Sequence, residues 1–219
     1  MTAGVLASIV GSEVSTPRPQ KKRSYHHGDL KRALVVAAVP LLEVKGAEGL
    51  TLREVAAAVG VTHAAAYRHF EDKTALLAAI AESGFRDLAV RLSRDVARAD
   101  NDAAAKMRGF AEAYVAFAVE RPAVYGVMFG PRLNESGRFP SLEEAITELV
   151  TILVAEIKKG QLDGALRPGR KRDIGLSIWV FAHGYVELVQ RRRIKVKNAA
   201  VAQAYFDTLF EPLMKGLLR

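Results

Sequence analysis

TLREVAAAVGVTHAAAYRHFEDK, residues 51–73, is the stretch on which the fold turns. Leu52, Val55, Ala56 and Val59 recur at helical spacing and make one apolar stripe. Thr51 precedes them as an N-cap and Glu54 follows three residues later, the pattern of a capping box. Gly60 ends that helix where a left-handed residue is wanted. Thr62 caps a second helix at once, so the turn is only about three residues long. On the second helix Ala66 and Phe70, four residues apart, face back to the first. Ala56 and Ala66 are small where two helices must cross closely. The opposite face carries Thr62, His63, Ala65, Tyr67, Arg68 and His69, a set suited to base edges and phosphates. An ordinary αα-corner also joins two short helices through a glycine, so the flanking sequence has to decide.

Upstream lies RPQKKRSYHHGDLKRAL, and downstream EDKTALLAAI opens a long helix with Asp72 as its cap and Lys73 in its first turn. The run from Tyr25 to Ile80, through YHHGDL, LTLREVAAAVGV and YRHFEDKTALL, resembles the DNA-binding domain of the TetR family of bacterial regulators. It covers about a quarter of the chain. Further on, SIWVFAHGYVEL resembles a C-terminal domain type named for a Trp-His-Gly signature, here Trp179, His183 and Gly184. These resemblances imply a homodimeric, DNA-binding transcriptional regulator whose C-terminal domain dimerises and holds an effector pocket.

Composition agrees without being decisive. The 219 residues suffice for a small head and a larger domain with its own core. The net charge of +8 favours an acidic partner such as nucleic acid. Residues 1–90 carry 11 basic and 9 acidic side chains, which leaves +6 for residues 91–219. Only the local cluster Arg18, Lys21, Lys22, Arg23, Lys31 and Arg32 points to the head. Cysteine is absent, which excludes disulfides and thiolate metal sites and suits a reducing cytoplasm. No stretch reaches the roughly 18 apolar residues of a membrane span. The segment GVLASIV is short and its positive charges follow it, the wrong order for a secretory signal. Residues 1–24 read as a flexible leader ending in a basic arm, residues 25–80 as the DNA-binding head, and residues 81–219 as the effector and dimerisation domain.

The expected fold is all-α: a three-helix head joined by a long helix to a helical C-terminal domain. Helices are expected over about 29–44 with Pro40 as a kink, then 73–99 with Gly84 as a weak point, then 103–120 and 123–129. Further helices are expected from a Ser141 cap to about 159, over 170–193, and over 198–218 bent or shortened by Pro212. Ile174, Ile178, Trp179, Phe181, Ala182, Tyr185, Val186, Leu188 and Val189 cover nearly the whole circumference of the 170–193 helix. A helix apolar all round is buried on both sides, and the second surface is read as another subunit.

For DNA contact, Thr51, Tyr67, His69 and Lys73 are expected on phosphates and Thr62, His63 and Ala65 on base edges. Arg68 suits either role, and Arg23 belongs to an arm reaching the minor groove. Tyr114, Phe117, Tyr125, Met128, Phe129, Trp179 and His183 are the expected lining of a pocket for a hydrophobic or aromatic effector, though an aromatic stripe is more often plain core. His26 and His27 point apart and make no metal pair, and His183 with Glu187 lacks a third ligand, so no metal and no cofactor is expected. No nucleophile elbow, phosphate loop or paired carboxylates suggest an enzyme. The leading reading is a repressor released from a palindromic operator by a small molecule. The alternative is a DNA-binding regulator without an effector, controlled by a protein partner or acting constitutively.

Overall fold

A computed structural model describes residues 27–99, 102–130, 133 and 137–218. The leader with Arg18, Lys21, Lys22 and Arg23, and His26, lie outside the described residues. The elements are α1 His27–Gly49, α2 Leu52–Val59, α3 His63–Tyr67, α4 Lys73–Arg98 and α5 Ala103–Glu120, followed by α6 Pro122–Met128, α7 Pro140–Leu162, α8 Lys171–Gln190 and α9 Ala199–Leu217. No strand occurs among the described residues, and the all-α expectation holds.

Local chemistry sets most boundaries. Gly46 takes φ +70°, a left-handed value, and is the one non-helical residue inside α1; Pro40 stays within the helix. Thr51 Oγ1 accepts the Glu54 amide at 3.3 Å and its hydroxyl donates to Glu54 Oε2 at 2.8 Å. Lys45 pairs with the same carboxylate and, ahead of the Thr51 hydrogen bond, holds its pKa below the usual value. Gly60, at φ +74°, closes α2 by donating its amide to Ala57 and Ala56 carbonyls. Thr62 Oγ1 accepts the Ala65 amide at 3.2 Å, and Asp72 Oδ1 accepts the Ala75 amide at 2.7 Å.

Two helix ends differ from the sequence reading. Ser141 does not cap α7: Phe139 holds the N-cap position without a side-chain bond, and Pro140 occupies the first turn. Proline there loses nothing, because the first amides of a helix have no partner anyway. Pro212 does not shorten α9, which runs through it to Leu217. Arg167 then donates its amide to Leu217 O at 3.0 Å, and Leu166 bridges Leu218, which ties the α7–α8 connector to the chain's last turn.

Two cores share α4. At one end Leu34 of α1, Val55 of α2 and Phe70 after α3 are buried with Leu76 and Ile80 from the first turns of α4. Beyond Ile80, α4 packs against α5, α6 and α7, α5 packs against α8 and α9, and α6 returns to touch α1. Gly84 is no weak point: α6 lies so close that a methyl group there would stand 2.7 Å from Met128 Sδ.

Charged groups also enter this core between α5 and α7. Lys106 is only 8% exposed and pairs with Glu156 at 2.9 Å between α5 and α7. Glu112, on the same helix, has no such partner among the described residues. Burial first, and then Asp207, push its carboxyl above the ordinary 4.5, with Arg108 opposing. A carboxyl raised in the folded state favours folding below its unfolded pKa and loses that contribution as pH rises through the folded value. Glu112→Gln is therefore expected to raise the melting temperature at pH 7–8 and to do little at pH 4. Thermal melts across that range test it, and an equal effect at both ends would show that Glu112 is not strained.

Candidate nucleic-acid interface and ligand cavity

The α2–α3 unit divides its side chains by face. Ala66 and Phe70 are fully buried, while Thr51, Thr62, His63, Tyr67 and Arg68 are exposed and Ala65 and His69 are half-buried. Tyr67 keeps 46% of its surface in solvent, a high value for an aromatic ring with a core beside it. It is braced from outside the core: the His63 and Tyr67 rings, four residues apart, meet edge-on with centroids 4.5 Å apart. Lys73 sits at the head of α4, and its ammonium donates to Glu48 O at 2.8 Å, at the end of α1. Terminal carbonyls of a helix lack partners and attract a cation. Lys73 thus clips α4 to α1, with two further protons left to donate. Lys31 stands over the Phe70 ring, 6.0 Å from its centroid.

The seven residues expected in an effector pocket are not all brought together. Tyr114 Oη stands 3.0 Å from Tyr125 Oη and accepts the Trp179 indole N–H at 3.2 Å, and Tyr125 Oη lies 2.6 Å from His183 Nδ1. Tyr114 Oη also approaches that nitrogen, at 2.9 Å. Burial pushes both phenol pKa values up and lowers that of His183, the last opposed by Glu187. Two protonated phenols and a neutral imidazole satisfy one another in one direction: Trp179 donates to Tyr114, Tyr114 to Tyr125, and Tyr125 to Nδ1. Phe129 covers the group, its ring centroid 4.7 Å from that of His183. Met128 is buried against Gly84. Phe117 faces away, into a cleft under Arg121, whose guanidinium lies 5.6 Å from its ring centroid.

A cavity of about 420 Å³ opens on the other side of Phe129 and Trp179. Phe85, Phe110, Ile146, Leu149, Val150, Leu153 and Val154 make most of its wall, with Arg172, Gly175 and Leu176 from α8. Of the seven expected residues only Phe129 and Trp179 touch it. The sequence did carry one signal for the rest: Ile146, Leu149, Val150, Leu153 and Val154 form a stripe on α7 at helical spacing, although a stripe of this kind reads equally well as solid core.

With this geometry in view, two family descriptions match the chain. "Bacterial regulatory proteins, tetR family" matches residues 34–80, and "Tetracyclin repressor-like, C-terminal domain" matches residues 107–213. The Trp-His-Gly subtype therefore rests on SIWVFAHGYVEL alone. The class A tetracycline repressor protein from transposon 1721 of Escherichia coli is 33% identical over 135 residues, 61% of this chain and 58% of that protein. The chain thus spans about three fifths of the length of the curated relatives it matches. A protein of unknown function from a Rhodococcus species is 34% identical, with a TM-score of 0.76 over 90% of this chain and 100% of the other. The TetR-family regulator PfmR of Thermus thermophilus, at 22% identity, shares the fold with a TM-score of 0.60 over 80% of this chain and 94% of its own.

Proposed function

Since the chain belongs to the TetR family of bacterial regulatory proteins, we propose that it is a homodimeric transcriptional regulator, a repressor released from a palindromic operator by a hydrophobic small molecule. The observation that carries the DNA-binding part is the outward face of α2–α3, where His63, Tyr67 and Arg68 are exposed beside capping residues. Thr62, His63 and Ala65 read base edges in the major groove; Thr51, Tyr67, His69 and Lys73 hold phosphates, and Arg68 serves either. Arg23 adds an arm contact. One such head reads few base pairs, so two heads on a two-fold axis are needed.

The cavity supports the release step. It is apolar, as sites for hydrophobic effectors are. Phe129 caps the C-terminal end of α6, which packs on α1 of the head, and Phe85 stands on α4, whose first turn holds Lys73. A ligand that moves either ring tilts the head through a continuous helix, with a coupling of about 1–3 kcal/mol.

Selection from a random duplex pool tests the reading. The protein is expected to enrich a palindrome with half-sites about one helical turn apart. His63→Ala is expected to change preference at one position of each half-site. Lys73→Ala is expected to weaken all sequences alike and flatten the salt slope by about one. A pool that never converges would overturn the proposal.

A further inference from the structure

The cavity has one charged wall, and it lies where α8 begins. Arg172, Gly175, Leu176 and Trp179 share one face of α8 at helical spacing, and of these only Arg172 carries charge. Among the described side chains that line it, the other polar group is the Trp179 indole. The Trp179 indole N–H is spent on Tyr114, and the two phenols are spent on each other and on His183. Among the described lining residues, Arg172 is thus the group that can meet a ligand's charged end.

The start of α8 is built against the usual electrostatics of a helix. Arg170, Lys171 and Arg172 occupy its N-cap and first two positions. Cations there oppose the helix dipole, which presents positive charge at that end. No side chain caps the first amides. Asp173 offsets only Arg170, at 3.6 Å. Arg172 makes no ion pair or hydrogen bond among the described residues. Three cations at the start of a helix are unfavourable by themselves and become favourable once an anion arrives.

We propose that the cavity takes an amphiphile with an anionic headgroup. Its tail lies among Phe85, Phe110, Leu149 and Leu153, and its carboxylate or phosphate is held by Arg172. This rests on the ligand-cavity reading above and adds the charge of the ligand and the residue that selects it. The planar guanidinium fork matches either oxyanion in two parallel bonds.

Trp179, the only tryptophan, reports occupancy by its fluorescence. Decanoate, decyl phosphate and decanol are titrated into the full-length protein, with thermal shift as a second readout. At least one of the two anions is expected to bind about tenfold or more tightly than decanol, the lower end for a charge-assisted pair on an exposed side chain. Arg172→Gln is expected to remove that advantage, weakening the anions about tenfold more than decanol. Preference between the two anions identifies the headgroup, and either preference supports the proposal. Decanol binding as tightly as both anions, or anion binding untouched by Arg172→Gln, overturns the headgroup assignment while leaving the cavity reading in place. If none of the three compounds changes Trp179 fluorescence or melting temperature, the cavity reading falls as well.

Discussion

Val180→Asp is expected to convert the protein to a monomer that folds normally and has lost most of its operator affinity. Val180 is 54% exposed in the middle of α8, and Leu176 and Leu188 are exposed on the same helix. Val180, Gly184 and Leu188 follow one another at four-residue spacing, and a methyl group at Gly184 would meet nothing within 4 Å. Val201 and Tyr205 are exposed on neighbouring α9. An apolar strip of this kind along two adjacent helices fits a four-helix interface across a two-fold axis. A carboxylate at its centre is buried without a partner on association, and twice over, because the axis places one on each side. Linked heads gain about 10²–10⁴ in affinity over single ones, so operator binding should fall by at least about 100-fold. Sedimentation at micromolar protein reads the assembly, and circular dichroism reads the fold, which a solvent-facing side chain leaves intact. A dimer that persists in Val180→Asp would exclude this face as the interface.

The same helix shows how far periodicity can be read. Its residues are apolar nearly all round, which sequence shows directly, and two burying surfaces follow from that. The structure divides them: Ile174, Ile178, Ala182, Tyr185 and Val186 turn into their own subunit, Val180 and Leu188 turn out, and Leu176 stands between, at the mouth of the cavity. Ala182 therefore cannot ease the approach of a partner, and Gly184 can. Leu209, in a stretch whose apolar pattern suggests an interface residue, is half-buried against its own core. A charge there would damage the protomer as well as the dimer, which makes Val180 the cleaner test.

The head was legible for a different reason. Its boundaries are written in short-range chemistry: Thr51 with Glu54, Gly60 in the left-handed region, Thr62 and Asp72 as caps. Each depends on partners within three or four residues, and these are the interactions a linear reading can see. The cavity depends on none of them. Its wall is drawn from α4, α5, α7, α8 and the end of α6, and whether such stripes meet or leave a gap is a matter of helix spacing. Tyr114 and Phe117 are one turn apart on α5, yet one joins the hydroxyl chain and the other faces Arg121. The charge at the start of α8 was in plain view as GRKR, but read along the chain it is a solvated run, and only the cavity beside it gives it a role.

Gly84→Leu is expected to cost about 3 kcal/mol or more, at the upper end of overpacking penalties. By helix propensity alone the change should help, since leucine gains most of the roughly 1 kcal/mol that separates glycine from alanine. Packing decides otherwise. The first carbon of any side chain would lie 2.7 Å from Met128 Sδ and 2.8 Å from Val124 Cγ1, both on α6. The sulfur, near the end of a flexible side chain, can yield, but Val124 is buried, stiff at its branched carbon, and cannot. So α4 and α6 must separate, which opens the contact next to Phe129 and shifts α6 against α1. For a chain of this size the melting temperature should fall by about 6–12 °C, measured at fixed protomer concentration because association also contributes. Met128→Ala alone should be destabilising by leaving a void, at about 2–5 kcal/mol. Combined with Gly84→Leu it should cost less than the two singles together, because the new side chain fills the space the methionine vacates. Strict additivity in that cycle would mean that the α4–α6 contact is not what requires glycine at this position.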